Sequence, residues 1–255
     1  MGIFDQLRLD GRVALVTGAS RGLGRALALA LAEAGADLAL LARTRRDLED
    51  TAAAAKDLGR SVLVRPADIA VPAEVEGAVG DTLDALGRID VLVNNSGIAV
   101  VKPLVETTLD EWRAVLDTNL TGAFALCRAA GRAMIARQRG KVINVASVLG
   151  AHGLAGYTAY SASKGGLIAL TRTLAVEWAR HNIQVNAIAP GWFVTPMNAH
   201  AFGDPKTRER LLREVPARRT GQPEELGPLV VYLASPASDF MTGETIFIDG
   251  GQLAG

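Results

Sequence analysis

Apolar residues gather in short runs along this chain, and longer stretches of helical periodicity separate them. The runs are Val13-Ala14-Leu15-Val16, Leu38-Ala39-Leu40-Leu41, Val62-Leu63-Val64, Val91-Leu92-Val93, Val142-Ile143-Asn144-Val145, Ile183-Gln184-Val185-Asn186-Ala187-Ile188 and Thr245-Ile246-Phe247-Ile248. Each is predicted as a strand. Continuous apolar runs, as opposed to alternating ones, mark strands covered on both faces. Between them the pattern predicts an Ala/Leu-rich helix ending near Ala34 and a polar helix ending near Leu58. It predicts long helices over 108–136 and 157–180, and a last helix near 224–234. Repeated βαβ units require a mostly parallel sheet with right-handed crossovers. The expected fold class is α/β, doubly wound. Ligands of such sheets bind beyond the carboxyl ends of the strands, so the residues just after each strand carry most of the functional signal.

The 255 residues are 49% hydrophobic, ample for a large core. No Pro/Gly/Ser-rich linker, repeat or low-complexity tract divides them, which predicts a single domain over 1–255. Lys+Arg and Asp+Glu both total 27, so the net charge is zero. A neutral chain has no long-range pull on nucleic acid or anionic lipid. The first ten residues hold no apolar signal core, and no run reaches transmembrane length. Cys127 is the only cysteine, which excludes a disulfide within the chain and suits a reducing compartment. These features predict a cytoplasmic protein without nucleic-acid or membrane partners. His152, His181, His200 and Cys127 share no metal-ligand spacing, and no metal site is expected.

The first strand runs into Thr17-Gly18-Ala19-Ser20-Arg21-Gly22-Leu23-Gly24. The spacing is G-x3-G-x-G, not the G-x-G-x-x-G of the long-chain dinucleotide fingerprint. The physics is shared: glycine permits a tight turn, a close pyrophosphate, and a helix set close to the strand. The helix N-terminus then offers free N–H groups and the positive end of its dipole. A βα turn that merely needs glycine has the same letters. Its place after the first strand, opening a helix, favours a dinucleotide.

About twenty residues past Gly18 stands Asp37, but it opens the second strand. The strand carries it about 16 Å from the ligand edge. The residue at that edge is Ala42, followed by Arg43, and no carboxylate stands there for a ribose hydroxyl pair. Arg43, with Arg21 in the glycine turn, is placed for a 2′-phosphate, which a guanidinium grips bidentately. NADP(H) is the expected cofactor, with NAD(H) possible. Arg43, Arg45 and Arg46 as a solvated helix start is the plainer alternative. Asp68, after strand three, either accepts from an adenine amino group or caps a helix.

Tyr160 and Lys164 stand at i and i+4, on one helical face. An ammonium beside a phenol favours the phenolate and should lower a pKa that is otherwise about 10. Tyr160 would then serve as a general acid or base near neutrality. Ser147 follows the fifth strand, where its hydroxyl could hold a carbonyl oxygen. Asn119 lies in the preceding long helix, where its amide could order a water joining Lys164 to solvent. Singly, each has a bland reading as a surface pair or a helix cap. Together and in this order they form a reaction centre.

At this point the chain resembles the short-chain dehydrogenase/reductase family over nearly its whole length. The matching pieces are Thr17-Gly18 through Gly24, Asp68, Asn94-Asn95-Ser96-Gly97, Asn119, Ser147, Tyr160 with Lys164, and Pro190-Gly191. The resemblance implies a seven-stranded Rossmann sheet in the order 3-2-1-4-5-6-7. It implies catalysis by Asn119, Ser147, Tyr160 and Lys164. Cofactor contacts would fall on Gly18, Ser20, Arg21, Gly22, Leu23, Gly24, Arg43, Asp68, Ile69, Asn95, Ser96, Gly97, Tyr160, Lys164, Pro190, Gly191, Val194 and Thr195. It implies that Asn94 supports the site from strand four, and that the protein is a homotetramer. The family more often has alanine at Ser96, a change of little expected effect. The segment 192–213 reads as a lid. Trp192, Met197 and Phe202 would line its inner face or form its own small core. With Leu149 and His152 they are the candidate substrate contacts.

Tyr157 and Lys164, seven apart, resemble the enoyl reductase branch of the family. That branch usually has methionine at the position of Tyr160 and an altered glycine motif, and this chain departs from it in both. The 3-oxoacyl-carrier-protein reductases are a closer rival. Many carry Thr-Arg-Asp where this chain has Ala99-Val100-Val101, and arginine where it has His181; Arg137 and Arg139 lie near another docking position. The N-terminal stretch Ile3 to Gly11 is similar to that of sugar-acid dehydrogenases such as gluconate 5-dehydrogenase. The favoured substrate is a small keto-sugar acid or similar polar ketone. A catalytically silent cofactor-binding regulator is the alternative from another class.

Overall fold

A computed structural model describes residues 2–196 and 199–254. Met197, a candidate substrate contact, lies outside the described residues. Seven strands form one parallel sheet in the order β3-β2-β1-β4-β5-β6-β7. They are β1 (Val13–Thr17), β2 (Asp37–Ala42), β3 (Val62–Pro66), β4 (Val91–Asn94), β5 (Gly140–Val145), β6 (Ile183–Pro190) and β7 (Thr245–Ile248). The predicted α/β class, strand number and order are all observed. The four central strands β1, β4, β5 and β6 are buried at every residue, as their unbroken apolar runs require. The edge strands β3 and β7 are only partly covered.

The helices in chain order are α1 (Gly22–Glu33), α2 (Arg45–Asp57), α3 (Pro72–Leu86), α4 (Leu109–Leu116), α5 (Gly122–Ala136), α6 (Thr158–Trp178), α7 (Ala199–Gly203), α8 (Pro205–Arg213) and α9 (Gly227–Ala234). One face of the sheet buries Val16, Leu40, Val93 and Val145 against Leu27 and Leu31 of α1, Leu48 of α2 and Val230 and Leu233 of α9. The other buries Leu15, Leu41, Leu92 and Val185 against Val75 and Val79 of α3, Leu126 and Met134 of α5, and Trp178 of α6. No helix of the described residues is long and apolar enough to cross a membrane.

Two elements depart from the sequence pattern. The strand pass left 67–90 without a helix, yet α3 fills it. Its signals are Pro72 at the first turn, where a missing N–H costs nothing, and buried Val75, Ala78 and Val79 on one face. The helical stretch expected over 108–136 is observed, but a π turn interrupts its ladder. A capping box at Thr108 and Glu111 starts α4, and a π-helical turn at Asp117–Thr121 separates it from α5. Such turns insert an extra residue into a helix and often sit at functional sites. This one carries Asn119.

Candidate active site

The glycine turn joins β1 to α1 as expected. Gly18 and Gly22 have φ of +63° and +56°, a region that disfavours any residue with a Cβ. At Gly24 a Cβ would collide with the carbonyl oxygen of Gly18, so glycine alone lets α1 sit this close. Arg21 is the N-cap of α1 and has no side-chain cap of its own, which leaves the helix N-terminus open. Ser20 and Leu23 are half-buried in the same turn.

β4 locks this turn from the side. Thr17 Oγ1 accepts the backbone N–H groups of Asn95 and Ser96, each at 3.0 Å. Asn95 Nδ2 donates to the carbonyl oxygens of Thr17 at 3.0 Å and Gly18 at 3.3 Å. The Asn95 side chain is thus turned onto the glycine turn as a brace. Ser96 packs against Gly18, so a small side chain there matters. Thr17, which the sequence reading left without a role, is the hub.

Arg43 follows β2 and is exposed, as is Arg21. Neither guanidinium forms an ion pair or hydrogen bond among the described residues, whereas that of neighbouring Arg45 donates to Val64 O at 3.3 Å. Asp37 sits at the far end of β2 and accepts from Ser61 N at 2.7 Å, away from the ligand edge. Asp68 uses one carboxylate oxygen on Ala70 N at 2.9 Å. Ile69 is buried, with its carbonyl and side chain against Gly122 of α5. Pro190 ends β6, and Gly191 N donates to Ile248 O at 2.9 Å. Val194 is exposed; Thr195 follows and approaches Gly22, so this segment crosses the glycine turn.

Asn119, Ser147, Tyr160 and Lys164 come together at the carboxyl ends of β4 and β5. Ser147 follows β5, its Oγ accepts Leu149 N at 3.2 Å, and its hydroxyl acts to pull the Tyr160 phenol down. Lys164 is buried; its ammonium donates to Val145 O at 2.7 Å and lies 5.6 Å from the Tyr160 ring centre. Gly97 separates Lys164 from Asn119: a Cβ there would lie 3.6 Å from Nζ and 3.3 Å from Asn119 Oδ1. Asn119 Oδ1 accepts Ile98 N at 2.8 Å, while Nδ2 donates to Ile98 O at 2.9 Å and Ser163 Oγ at 3.0 Å. Both amide hydrogens are therefore engaged by protein atoms. The second lone pair of Oδ1 is the side chain's remaining place for a water.

The electrostatics also differ from expectation. Burial pushes the Tyr160 phenol up to about 12, although the Ser147 hydrogen bond pulls it down. Burial pushes Lys164 down to about 8. Helical spacing predicts that the ammonium lowers the phenol, but desolvation of both groups sets the direction of their shifts here. Tyr157 packs edge-on to Tyr160, with ring centres 6.2 Å apart.

Deeper in the sheet, Asn94 Nδ2 donates to Asn144 Oδ1 at 2.9 Å, and Asn144 Nδ2 to Thr171 Oγ1 of α6 at 2.8 Å. This ladder ties β4 and β5 to the helix that carries Tyr160 and Lys164. Cys127 is buried packing, as expected, with its thiol pushed up to about 12 by burial.

Of the candidate substrate contacts, Leu149 is buried and His152 exposed. Trp192 meets Phe202 edge-on at 5.7 Å, and Phe202 is buried. That pairing matches the reading of a small core within the segment. Near the other end of α6, Gln138 and Arg180 flank the His181 ring at 3.0 and 3.2 Å. Arg137 leans onto buried Asp90 at 3.5 Å.

A family model described as enoyl-(acyl carrier protein) reductase matches residues 18–252. The chain is 40% identical to a 3-oxoacyl-[acyl-carrier-protein] reductase of Synechocystis, over 96% of this chain and 98% of the relative. It is 39% identical to the 2-dehydro-3-deoxy-D-gluconate 5-dehydrogenase of Escherichia coli, over 99% of each. Among solved structures, a gluconate 5-dehydrogenase from Burkholderia cenocepacia in complex with NADP and tartrate superposes with a TM-score of 0.96, at 39% identity and full coverage of both chains. The chain belongs to the short-chain dehydrogenase/reductase family, NAD(P)-dependent oxidoreductases acting on alcohol and ketone groups.

Proposed function

We propose that the protein reduces a small polar ketone with NADPH, and catalyses the reverse oxidation, with Tyr160 as general acid and base. The observation that carries this reading is the gathering of buried Ser147 and Lys164 about Tyr160, with the ammonium 5.6 Å from its ring centre and Ser147 pulling the phenol down. A carbonyl oxygen held by Ser147 Oγ lies within reach of the Tyr160 proton. Reduction consumes that proton, and a phenol held near 12 carries it at neutral pH. Lys164 keeps positive charge beside the oxygen that becomes anionic. Asn119 fixes the turn beneath Lys164. Burial alone acts on the Tyr157 phenol, with no part from Ser147, which disfavours an enoyl reductase arrangement built on it.

The residues present fit a dinucleotide. The open helix N-terminus at Arg21 and Gly22, with Gly18 and Gly24 clearing the backbone, would hold the pyrophosphate. Arg43 and Arg21, whose guanidinium groups have no partner among the described residues, would hold a 2′-phosphate. The remaining oxygen of Asp68 would face the adenine, and Lys164 the nicotinamide ribose. The backbone at Val194 and Thr195 would hold the carboxamide, and Asn95 would act through the brace. The cofactor, when bound, supplies or accepts the hydride. Two further gluconate or deoxygluconate dehydrogenase structures similar to this chain also contain NADP. NADP(H) is the preferred form, with NAD(H) accepted less well.

For the substrate, a keto-sugar acid is favoured over an acyl chain on a carrier protein. Ala99-Val100-Val101 in place of Thr-Arg-Asp, and His181 in place of a docking arginine, support it, while exposed Arg139 is a cation that the rival reading would use. The 3-oxoacyl reading is the second one, supported by the Synechocystis relative. NADPH oxidation with 5-ketogluconate, related keto-sugars, acetoacetyl thioesters and simple cyclic ketones separates the two. Turnover of the keto-sugars supports the first reading. Turnover of acetoacetyl thioesters alone replaces it with the second, and none with any ketone favours a silent regulator. The protein is further proposed to be one domain with a lid over about 192–213, cytoplasmic, and a homotetramer. Exposed Leu109 on α4, Phe124 on α5 and Val176 on α6 support a partner surface on these helices.

A further inference from the structure

Asn119 does not touch Tyr160; one residue joins them. Asn119 Nδ2 donates to Ser163 Oγ at 3.0 Å, and that hydroxyl donates to the Tyr160 carbonyl oxygen at 2.7 Å. Ser163 is fully buried on α6, three residues after the tyrosine and one before the lysine. We propose that Ser163 is a positioning residue for the reaction, locking the π-helical turn of Asn119 to the helical turn that carries Tyr160 and Lys164.

The argument begins with the π turn. An α-helix fixes each residue through its i to i−4 ladder, but a π bulge interrupts that ladder. The position of Asn119 therefore depends on what its side chain grips. It grips two partners: the backbone of Ile98 and the hydroxyl of Ser163. Ile98 ties it to the loop after β4, whereas Ser163 is the side chain's hydrogen bond to α6, beside the packing of Leu120 on Gly166. Alanine at 163 would leave a buried N–H without an acceptor, which is unfavourable enough to move the amide. The space around it is narrow. Gly97 lies against Asn119 on one side and Lys164 on the other. A shift of Asn119 is transmitted to the lysine, and through it to the reacting oxygen. Misplacements below an ångström are felt in rate more than in binding.

The proposal rests on Tyr160 as the acid and base, so Tyr160→Phe is measured alongside. Steady-state kinetics of the full chain, with NADPH and its best ketone, are compared for wild type, Ser163→Ala and Ser163→Thr. NADPH binding is read from the thermal shift it produces. The alanine variant should lose roughly 10-fold in kcat, with KM and the NADPH shift within about two-fold of wild type. Threonine, which keeps the hydroxyl, should recover kcat to within about three-fold. Should its added methyl prevent folding, the kcat-against-KM split in the alanine variant decides alone. An alanine variant with wild-type kcat overturns the proposal. So does one that loses NADPH binding and kcat together, or a folded threonine variant as slow as alanine. An active Tyr160→Phe would instead overturn the reading of the site, whatever Ser163 does.

Discussion

Thr17 and Asn95 hold each other by two crossed hydrogen bonds, Asn95 N to Thr17 Oγ1 and Asn95 Nδ2 to Thr17 O, both at 3.0 Å. The glycine turn is thereby fastened to the strand beside it before any ligand arrives. Thr17→Val keeps the shape and removes the acceptor for the N–H groups of Asn95 and Ser96. The expected cost is about 1–3 kcal/mol, read as a lower urea midpoint, together with weaker NADPH binding. An unchanged midpoint and affinity would show that the brace does no such work.

Cofactor choice is expected to follow Arg43, with Arg21 second. Charge-assisted hydrogen bonds to phosphate are worth about 1.5–3 kcal/mol, so the preference for NADPH over NADH should fall roughly 10- to 100-fold when they are lost. The change Ala42→Asp with Arg43→Ile removes the guanidinium and supplies a ribose partner. Comparing kcat/KM for both cofactors in parent and variant checks this. A parent that prefers NADH, or a ratio that does not move, contradicts it.

The two directions of reaction should depend oppositely on pH. Reduction needs the phenolic proton, and burial holds the Tyr160 phenol near 12, so the proton is present throughout the neutral range. Reduction should stay flat until the lysine, held down near 8, begins to lose its charge, and should decline above that. Oxidation needs the phenolate, whose small fraction grows about tenfold per pH unit below its pKa. Its kcat/KM should climb from neutral into alkaline pH. An oxidation rate that is flat or falling over that range contradicts this assignment.

The exposed apolar residues Leu109, Phe124 and Val176 should be covered in solution. Light scattering should give a tetramer, and Phe124→Glu with Val176→Glu should reduce its mass by placing charges in a dry interface. A stable monomer at micromolar concentration for the parent refutes the assembly.

The strands were legible because burial on both faces leaves an unbroken apolar run, and β7 matches its predicted bounds. The placement of Arg43 was legible for the same reason: counting along β2 separates its two ends. Helix α3 was less visible, since it alternates alanine and glycine with charge. The π turn at Asn119 was not legible, because one extra residue hardly disturbs a helical pattern. Thr17 and Ser163 lay in plain view within the motifs, but their roles come from neighbours 78 and 44 residues away. The direction of the Tyr160 shift was missed for a related reason. Spacing tells which groups share a face, but not how far water is excluded from them.

The role of Tyr160 is tested most directly by comparing Tyr160→Phe with Tyr157→Phe. Both rings lie in the same edge-on pair, but Ser147 bears on the Tyr160 phenol and burial alone on that of Tyr157. Tyr160→Phe should lose roughly 10²- to 10⁴-fold in turnover, while NADPH still raises its melting temperature as in the parent. Tyr157→Phe should stay within a few-fold of the parent. Retained activity in Tyr160→Phe, with loss in Tyr157→Phe, would contradict the account and shift the reaction to Tyr157.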